Sequence, residues 1–381
     1  MTHDYPPADA GNHVTAAVQS DAPPPLPLTR YGWSEARAQE FAGLPGAALM
    51  PGRVIRAERD AVIVATAMGV RRAARHPGTR PEDPIPCTGD WIAIDASPDG
   101  GELFVRHLLR RHTALVRSSA GRASQGQVLA ANVDTVAIVV SAAATLNHNR
   151  TERMLALAWE SGAVPVVALT KADLASDADG AESAVRRVAL GAETVLTSAV
   201  TGRGLDRLTN VLTGTIVLLG PSGAGKSTLG NALIGDAVLA TGHIREADGR
   251  GRHTTAWREL IPLPGGNVLI DTPGLRTIGL RDTDDGIHRT FADIEDLASR
   301  CRFSDCAHDS EPGCAVLDAI DSGTLPARRL DSYRKLLREN EYEASRTDAR
   351  ARAERSAFWK GVARQQRAAR HFHSQQEGTV T

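Results

Sequence analysis

Lysine is scarce in this chain of 381 residues: four of its 44 basic residues are Lys (Lys171, Lys226, Lys335 and Lys360), and the other 40 are Arg. Cysteine is as rare, with four residues, three of which (Cys301, Cys306 and Cys314) fall within fourteen positions. So few cysteines exclude a disulfide scaffold. Aromatic residues reach only 4%, but hydrophobic residues reach 42%, which excludes a disordered chain. Net charge is also lacking: 44 basic residues against 45 acidic ones leave -1, so any nucleic-acid surface has to be local. Long apolar runs are missing too. The stretch Val136 to Leu146 is interrupted by Ser141 and Thr145, and it is shorter than the roughly 20 residues that cross a bilayer. The first Lys or Arg is Arg30, and the leader lacks the basic-then-apolar order of a secretory signal. A soluble, cytoplasmic chain without a membrane partner is expected, with a disordered leader over 1–49.

The length admits two or three domains at about 150 residues each. From residue 50 to 122, short strand-like runs such as Arg53 to Arg56, Ala61 to Thr66, Trp91 to Ile94 and Leu103 to Val105 alternate with Gly, Pro and Asp clusters. That pattern predicts a small barrel of the oligonucleotide-binding (OB) type. Over 123–287, buried β-type runs (Val133 to Val140, Val164 to Leu169, Thr194 to Thr197, Thr215 to Leu219 and Val268 to Ile270) alternate with helical patterns. These are βαβ units and a mostly parallel sheet, so the fold class is α/β. Over 288–345 the spacing of Phe291, Ile294 and Leu297, and of Leu330, Tyr333 and Leu337, is helical. A basic tail occupies 346–381. Residues 328–373 carry a net +7 and residues 50–122 a net +4, so the remainder sums to -12.

Gly220-Pro221-Ser222-Gly223-Ala224-Gly225-Lys226-Ser227, followed by Thr228, fits the phosphate loop Gly-x-x-x-x-Gly-Lys-[Ser/Thr]. Glycines let successive backbone N–H groups turn towards a phosphate, and the helix that follows adds its positive end. Lys226 would reach the β- and γ-phosphates, and the Ser227 hydroxyl would hold Mg²⁺. Asp271-Thr272-Pro273-Gly274 follows an apolar run, placing a carboxylate near the Mg²⁺ and the Gly274 N–H near the γ-phosphate. Between them, Thr254 and Thr255 in Gly251-Arg252-His253-Thr254-Thr255 are candidates to complete the Mg²⁺ shell. Thr170-Lys171-Ala172-Asp173 has the form of a guanine reader: the Asp173 carboxylate accepts from N1–H and the 2-amino group, and the Lys171 stem packs on the base. Ser198-Ala199 would close over O6.

The order of these segments is unusual, because the base-reading segments precede the phosphate loop. A barrel, then base readers, then the phosphate loop resembles the RsgA family of ribosome small-subunit-dependent GTPases. Gln127-Val128-Leu129-Ala130-Ala131-Asn132-Val133-Asp134 and Gly251 to Thr255 also match. The resemblance runs from about residue 50 to 345. It implies a circularly permuted GTPase domain, a monomeric chain binding GTP, Mg²⁺ and one structural Zn²⁺, and a small-ribosomal-subunit partner whose rRNA stimulates hydrolysis. It also implies that hydrolysis drives release of the factor in late assembly. Leu275 stands where many GTPases place a water-orienting Gln, and the resemblance makes His253 the substitute. Thr170 departs from the family's usual Asn, which would brace the phosphate loop and contact the base.

Cys301, Cys306, His308 and Cys314 form a Cys-x4-Cys-x-His-x5-Cys set, which suits a structural tetrahedral zinc with every position filled by protein. Cys87 lies apart and reads as a small barrel residue. Arg71, Arg72, Arg75, Arg110 and Arg111 are candidate rRNA phosphate contacts. Two other functions are compatible with the residues alone: an ATP-dependent phosphate-loop kinase, and an RNA-binding scaffold without turnover.

Overall fold

A computed structural model describes residues 27–46, 48–76, 78–80, 83–95, 101–117, 127–236, 239, 258–271 and 284–342. His253, Thr254, Thr255, Gly274 and the basic tail 346–381 lie outside the described residues. The expected disordered leader over 1–49 is corrected by what precedes the barrel. A 3-10 turn (Leu28–Tyr31) and helix α1 (Glu35–Ala42) are ordered there, with Ser34 accepting from Arg37 N as N-cap. Leu28 and Tyr31 are buried, and Trp33 packs edge-on against Trp91 with ring centroids 4.9 Å apart.

Strands β1 (Leu49–Ala57), β2 (Ala61–Thr66), β3 (Gly69–Arg75), β4 (Trp91–Asp95) and β5 (Leu103–Leu108) close a barrel in the order β1-β2-β3-β5-β4. β3 and β5 pair parallel, and the other pairs are antiparallel. Full closure removes exposed strand edges. In β3 the basic residues Arg71, Arg72 and Arg75 break the apolar alternation that marks its neighbours. Strand β6 (Ala114–Arg117), expected inside the barrel, instead forms a separate antiparallel pair with β7 (Gln127–Ala131).

The second sheet has six strands in the order β10-β9-β8-β11-β13-β12. They are β8 (Thr135–Ser141), β9 (Val164–Thr170), β10 (Glu193–Leu196), β11 (Thr215–Leu219), β12 (Glu259–Pro262) and β13 (Val268–Asp271). All neighbours are parallel except β12 and β13. The β-branched and aliphatic runs of β8, β9, β11 and β13 are buried almost throughout, as expected for strands covered on both faces. Helices α2 (His148–Glu160), α3 (Ala178–Arg186), α4 (Leu205–Val211) and α5 (Lys226–Ile234) connect or follow them. The chain runs outward from β8 to β9 and β10, then returns to place β11 on the other side of β8. The order therefore reverses between β8 and β11, and the crevice at the carboxyl ends of such a pair is where open α/β sheets bind ligands.

The barrel is joined to this sheet by buried polar groups. Arg53, 2% exposed, lies over the Trp91 ring at 4.7 Å and donates from Nη2 to the Thr215 hydroxyl at 3.0 Å. Burial pushes its guanidinium down to about 9, with Asp134 opposing. Asn132, in the left-handed region at φ 53°, accepts from Arg37 Nη2 at 2.7 Å and from His112 N at 3.1 Å, and donates to Gly89 O. Asn tolerates that conformation better than most residues.

The C-terminal part consists of α6 (Asp284–Thr290), α7 (Ala292–Ala298), α8 (Ala315–Asp321) and α9 over 327–342. It docks on α2, and α6 approaches so closely that a Cβ at Gly286 would lie 2.1 Å from Ala156 O. Beside that contact Arg329, with a side chain 1% exposed, donates to Glu152 Oε1 at 2.8 Å, to Thr290 O at 2.8 Å and to both Asp293 oxygens. Ser332 donates to Glu152 Oε2 at 2.6 Å. Burial lowers the Arg329 pKa, but the Asp293 and Glu152 carboxylates outweigh it and hold the guanidinium above its usual value. Glu152→Ala should destabilise the protein by about 3–5 kcal/mol, because it leaves a buried charge short of a partner. Glu182→Ala, which breaks only the half-exposed α3 pair with Arg186, should cost under about 1 kcal/mol; urea melts of the two variants check the contrast.

Candidate nucleotide site and metal centre

The loops after β9, β10 and β11 all leave the carboxyl edge of the parallel sheet. The phosphate loop over Gly220 to Gly225 ends at Gly225 in the left-handed region (φ 93°, ψ 15°), which starts α5. No side chain caps that helix, so its first N–H groups face the loop mouth, the arrangement that holds anions. Lys226 arches back over the loop, its Nζ donating to Gly220 O at 2.8 Å and Pro221 O at 2.7 Å. The ammonium thus stands at the loop's mouth. Ser227 and Thr228 occupy the first turn of α5, and Asp271 ends β13, two strands along the carboxyl edge from β8.

The base-reading segments meet the phosphate loop through backbone and side chain. Thr170 ends β9 and is 3% exposed; its hydroxyl lies 2.6 Å from Ala224 O and 3.2 Å from Val140 O. The Thr170 hydroxyl therefore ties the end of β9 to the phosphate loop. Lys171 adopts φ 59°, a left-handed conformation uncommon outside Gly and Asn and typical of constrained functional positions. Its stem runs beside the loop, since a Cβ at Gly225 would lie 3.8 Å from Lys171 Cε. Ala172 N donates to Thr197 O at 3.1 Å, joining the Asp173 turn to the Ser198-Ala199 turn. Asp173 is exposed in that turn, whereas Ser198 is fully buried, with its N–H on Arg203 O and its hydroxyl accepting from Thr201 N. A cavity of about 390 Å³ opens at the β8–β11 crevice between Lys171, Ser141, Asn147 and Pro221 to Ala224.

Cys301, Cys306, His308 and Cys314 converge, with all four ligand atoms within 4.8 Å of one another. The Cys301 Sγ to Cys314 Sγ distance is 3.9 Å, and His308 Nδ1 lies 3.6 Å from Cys301 Sγ and 3.4 Å from Cys314 Sγ. A tetrahedron with zinc–sulfur bonds of about 2.3 Å has edges of about 3.8 Å, so the donor set fits one zinc ion. Sequence reasoning missed the supports of this loop. Glu311 accepts from the N–H groups of Ala307, Asp309 and Ser310, and backbone hydrogen bonding holds its carboxyl down at about 2. Arg334 on α9 donates to His308 O at 2.7 Å and Asp309 Oδ1 at 2.6 Å. A lone Glu and a lone Arg carry no spacing signal, so only the folded loop reveals them.

Of the arginines expected to meet RNA, Arg111 is corrected to a structural role. Its guanidinium forms a two-pronged pair with the fully buried Asp90, at 2.8 and 2.7 Å, and donates to Ile85 O. Arg72 stays more than half exposed beside Glu58, and Arg71 and Arg75 are partly exposed on the same strand. Cys87 is buried behind the barrel, and burial pushes its thiol up, out of the reactive range.

Residues 108–281 match the family model described as RsgA GTPase. The chain is 54% identical over 333 residues to a small ribosomal subunit biogenesis GTPase RsgA of Streptomyces coelicolor, covering 86% of this chain and 90% of that protein. Against the protein of the same name in Streptomyces avermitilis the identity is 53%, covering 88% of this chain and 91% of that one. Its structure is similar to the crystal structure of YjeQ from Thermotoga maritima, with a TM-score of 0.57 and 26% identity over 76% of this chain and 98% of that one. The fold also matches YloQ, titled a circularly permuted GTPase, with a TM-score of 0.56 and 24% identity over 77% of this chain and 96% of that one.

Purified protein should contain about one zinc per chain, and Cys306→Ser should lose it and lower the melting temperature. Glu311→Gln should keep the metal but release it faster to a chelator, because the neutral amide oxygen accepts the three loop N–H groups more weakly than a carboxylate does.

Proposed function

Starting from the fact that the chain belongs to the RsgA family of GTPases, we propose that it hydrolyses GTP on the small ribosomal subunit during late maturation of that particle. The observation that carries this is the meeting of three sequence-distant segments at one sheet edge. The Thr170 hydroxyl reaches the phosphate loop, and the Ala172 N–H reaches the turn that holds Ser198-Ala199.

The roles follow from the chemistry of the groups. Asp173 accepts from N1–H and the 2-amino group of guanine, the Lys171 stem covers the base, and the Ala199 turn faces O6. Pro221 to Gly225 wrap the phosphates with backbone N–H groups, and Lys226 with the α5 terminus opposes their charge. Ser227, Asp271 and Thr254 or Thr255 would hold a Mg²⁺, which would neutralise charge developing on the phosphates. His253 orients the attacking water, since an imidazole near neutral pKa can accept one hydrogen bond and donate another; Leu275 offers nothing polar for that task. The γ-phosphoryl group passes to water, its bond to the β-phosphate oxygen breaks, and the Gly274 contact with the γ-phosphate is lost. Residue 284 begins the helices that pack on α2 and carry the zinc centre, so that loss is transmitted to a module able to leave the subunit. The exposed Arg72 of the barrel, with the partly exposed Arg71 and Arg75 of the same strand, and the basic tail supply salt-sensitive rRNA contacts.

Three measurements check this reading. GTP turnover should be slow alone and rise about tenfold or more with purified small subunits, while excess ATP competes poorly; unchanged turnover would overturn the stimulated mechanism. His253→Ala should bind GTP normally but lose about 100-fold in stimulated turnover, the scale of removing one transition-state group. Asp173→Asn should bind xanthosine triphosphate better than GTP, because its amide can donate to the 2-oxo group that replaces the 2-amino group.

A further inference from the structure

The hairpin of β12 and β13 is bounded in the chain by the two segments read as nucleotide sensors, Thr254-Thr255 before it and residues 271–274 at its end. Among the described residues, β12 is the edge strand of the sheet and pairs with β13 alone, so its position depends on what packs on it from outside the sheet. Strand β1 of the barrel lies against β12, and the turn Leu28–Tyr31 lies against Pro264–Gly266 at the far end of the hairpin. The near end is held by one buried turn of the barrel, residues 87–90. The Thr88 hydroxyl donates to Arg258 O at 3.3 Å, and a Cβ at Gly89 would lie 3.1 Å from Ile270 Cδ1. The register sets Glu259 opposite Asp271, so both contacts fall on the end of the hairpin that carries the Asp271 carboxylate.

The 87–90 turn is itself stiff. Gly89 N donates to Val54 O at 2.9 Å, Val54 N to Asp90 O at 2.8 Å, Ala131 N to Thr88 O at 3.1 Å and Asn132 Nδ2 to Gly89 O at 3.1 Å. The fully buried Asp90 carboxylate accepts from Cys87 N and from Arg111 Nε and Nη2. Gly89 takes φ 94°, and a Cβ there would lie 2.2 Å from Ala131 O, a close approach that calls for glycine. A buried polar network with its groups satisfied is rigid. Its attachment to β1 continues across the barrel, because Val54 lies opposite Val64 and Val64 opposite Arg71. One line of register therefore joins the hairpin end to the strand that carries Arg71 and Arg72.

We propose that the 87–90 turn couples the nucleotide site to the barrel, with Thr88 as its positioning residue. A change of bound nucleotide that shifts the Asp271 end of the hairpin is felt by the turn through Arg258 O and Ile270, and passes to the basic strand β3. Coupling of this kind is reciprocal, so a polyanion held on β3 biases the hairpin end in return. The inference rests on reading residues 271–274 as a nucleotide sensor, and the experiment separates the two.

Amide hydrogen exchange of the full-length protein is compared with GDP and with the β,γ-imido analogue of GTP, each with Mg²⁺. In the wild type, exchange over 87–90 should differ between the two states by about fivefold, the scale of one hydrogen bond. Thr88→Val, of the same shape without the hydroxyl, should shrink that difference to within about twofold while 251–274 still respond. Thr88→Ser, which keeps the hydroxyl, should restore it. Ile270→Val removes the Cδ1 contact from the hairpin side and should shrink the difference too, which keeps the test open if Thr88→Val does not fold. A turn that merely supports the barrel is protected equally in both states. If 251–274 respond to the nucleotide and 87–90 do not, or if Thr88→Val and Ile270→Val respond as the wild type does, the coupling is overturned. If neither region of the wild type responds, the sensor reading falls, and this inference with it.

Discussion

The pairing of β8 with β11 is the interaction on which the arrangement depends. Ile216 lies opposite Thr135 and Leu219 opposite Ile138 in a parallel register. These strands are separated by the whole base-reading half of the domain, which the chain completes before returning. Their pairing brings the phosphate loop back beside the segment where that half began. Asp134 strengthens the return by accepting from Thr215 N at 2.7 Å. Since every residue of β11 is buried, a slip of register would move the loop along the sheet and out of reach of Thr170.

Two further joints attach the flanking parts to that sheet, and both use buried charge. Arg53 and Arg37 reach from the barrel side to Thr215 and Asn132, and Arg329 reaches from α9 to Glu152 on α2. Buried ionic groups add little net stability, but one whose partners are missing is costly, so they favour a single docking geometry. α2 is the shared element: residues near its N-terminus line the crevice beside the phosphate loop, and its middle carries the C-terminal helices.

The scarcity of lysine also acquires a physical sense. With Arg in most basic positions, Lys171 and Lys226 stand where a compact ammonium on a slender stem is needed: one beside Gly225, the other folded over Gly220 and Pro221. An ammonium is a compact point charge with three rotatable donors, whereas a guanidinium is a planar fork. The arginines instead supply the forked bonds of the joints, as Arg111 does with Asp90 and Arg329 with Asp293.

Much of the chemistry was legible in the residues themselves. A phosphate loop, a guanine reader and a Cys3His set depend on residue type at short spacing, and local backbone geometry turns such spacing directly into a site. The α/β alternation was legible for the same reason, because β9, α5 and β11 have strong local patterns. What the linear order could not reveal depends on partners far away in the chain. The ordered segment from Leu28 to Ala42 takes its stability from Trp91 and Asn132. The departure of β6 from the barrel depends on its pairing with β7, and Arg111 became structural only when Asp90 was folded against it. Glu311 and Arg334 are single residues without a motif, recruited by the zinc loop's free N–H and C=O groups. Thr170 shows the division most clearly. Its sequence position placed it at the head of a base-reading segment, but only the tertiary contact with Ala224 showed that its hydroxyl is tied to the phosphate loop, because that acceptor lies 54 residues further along the chain.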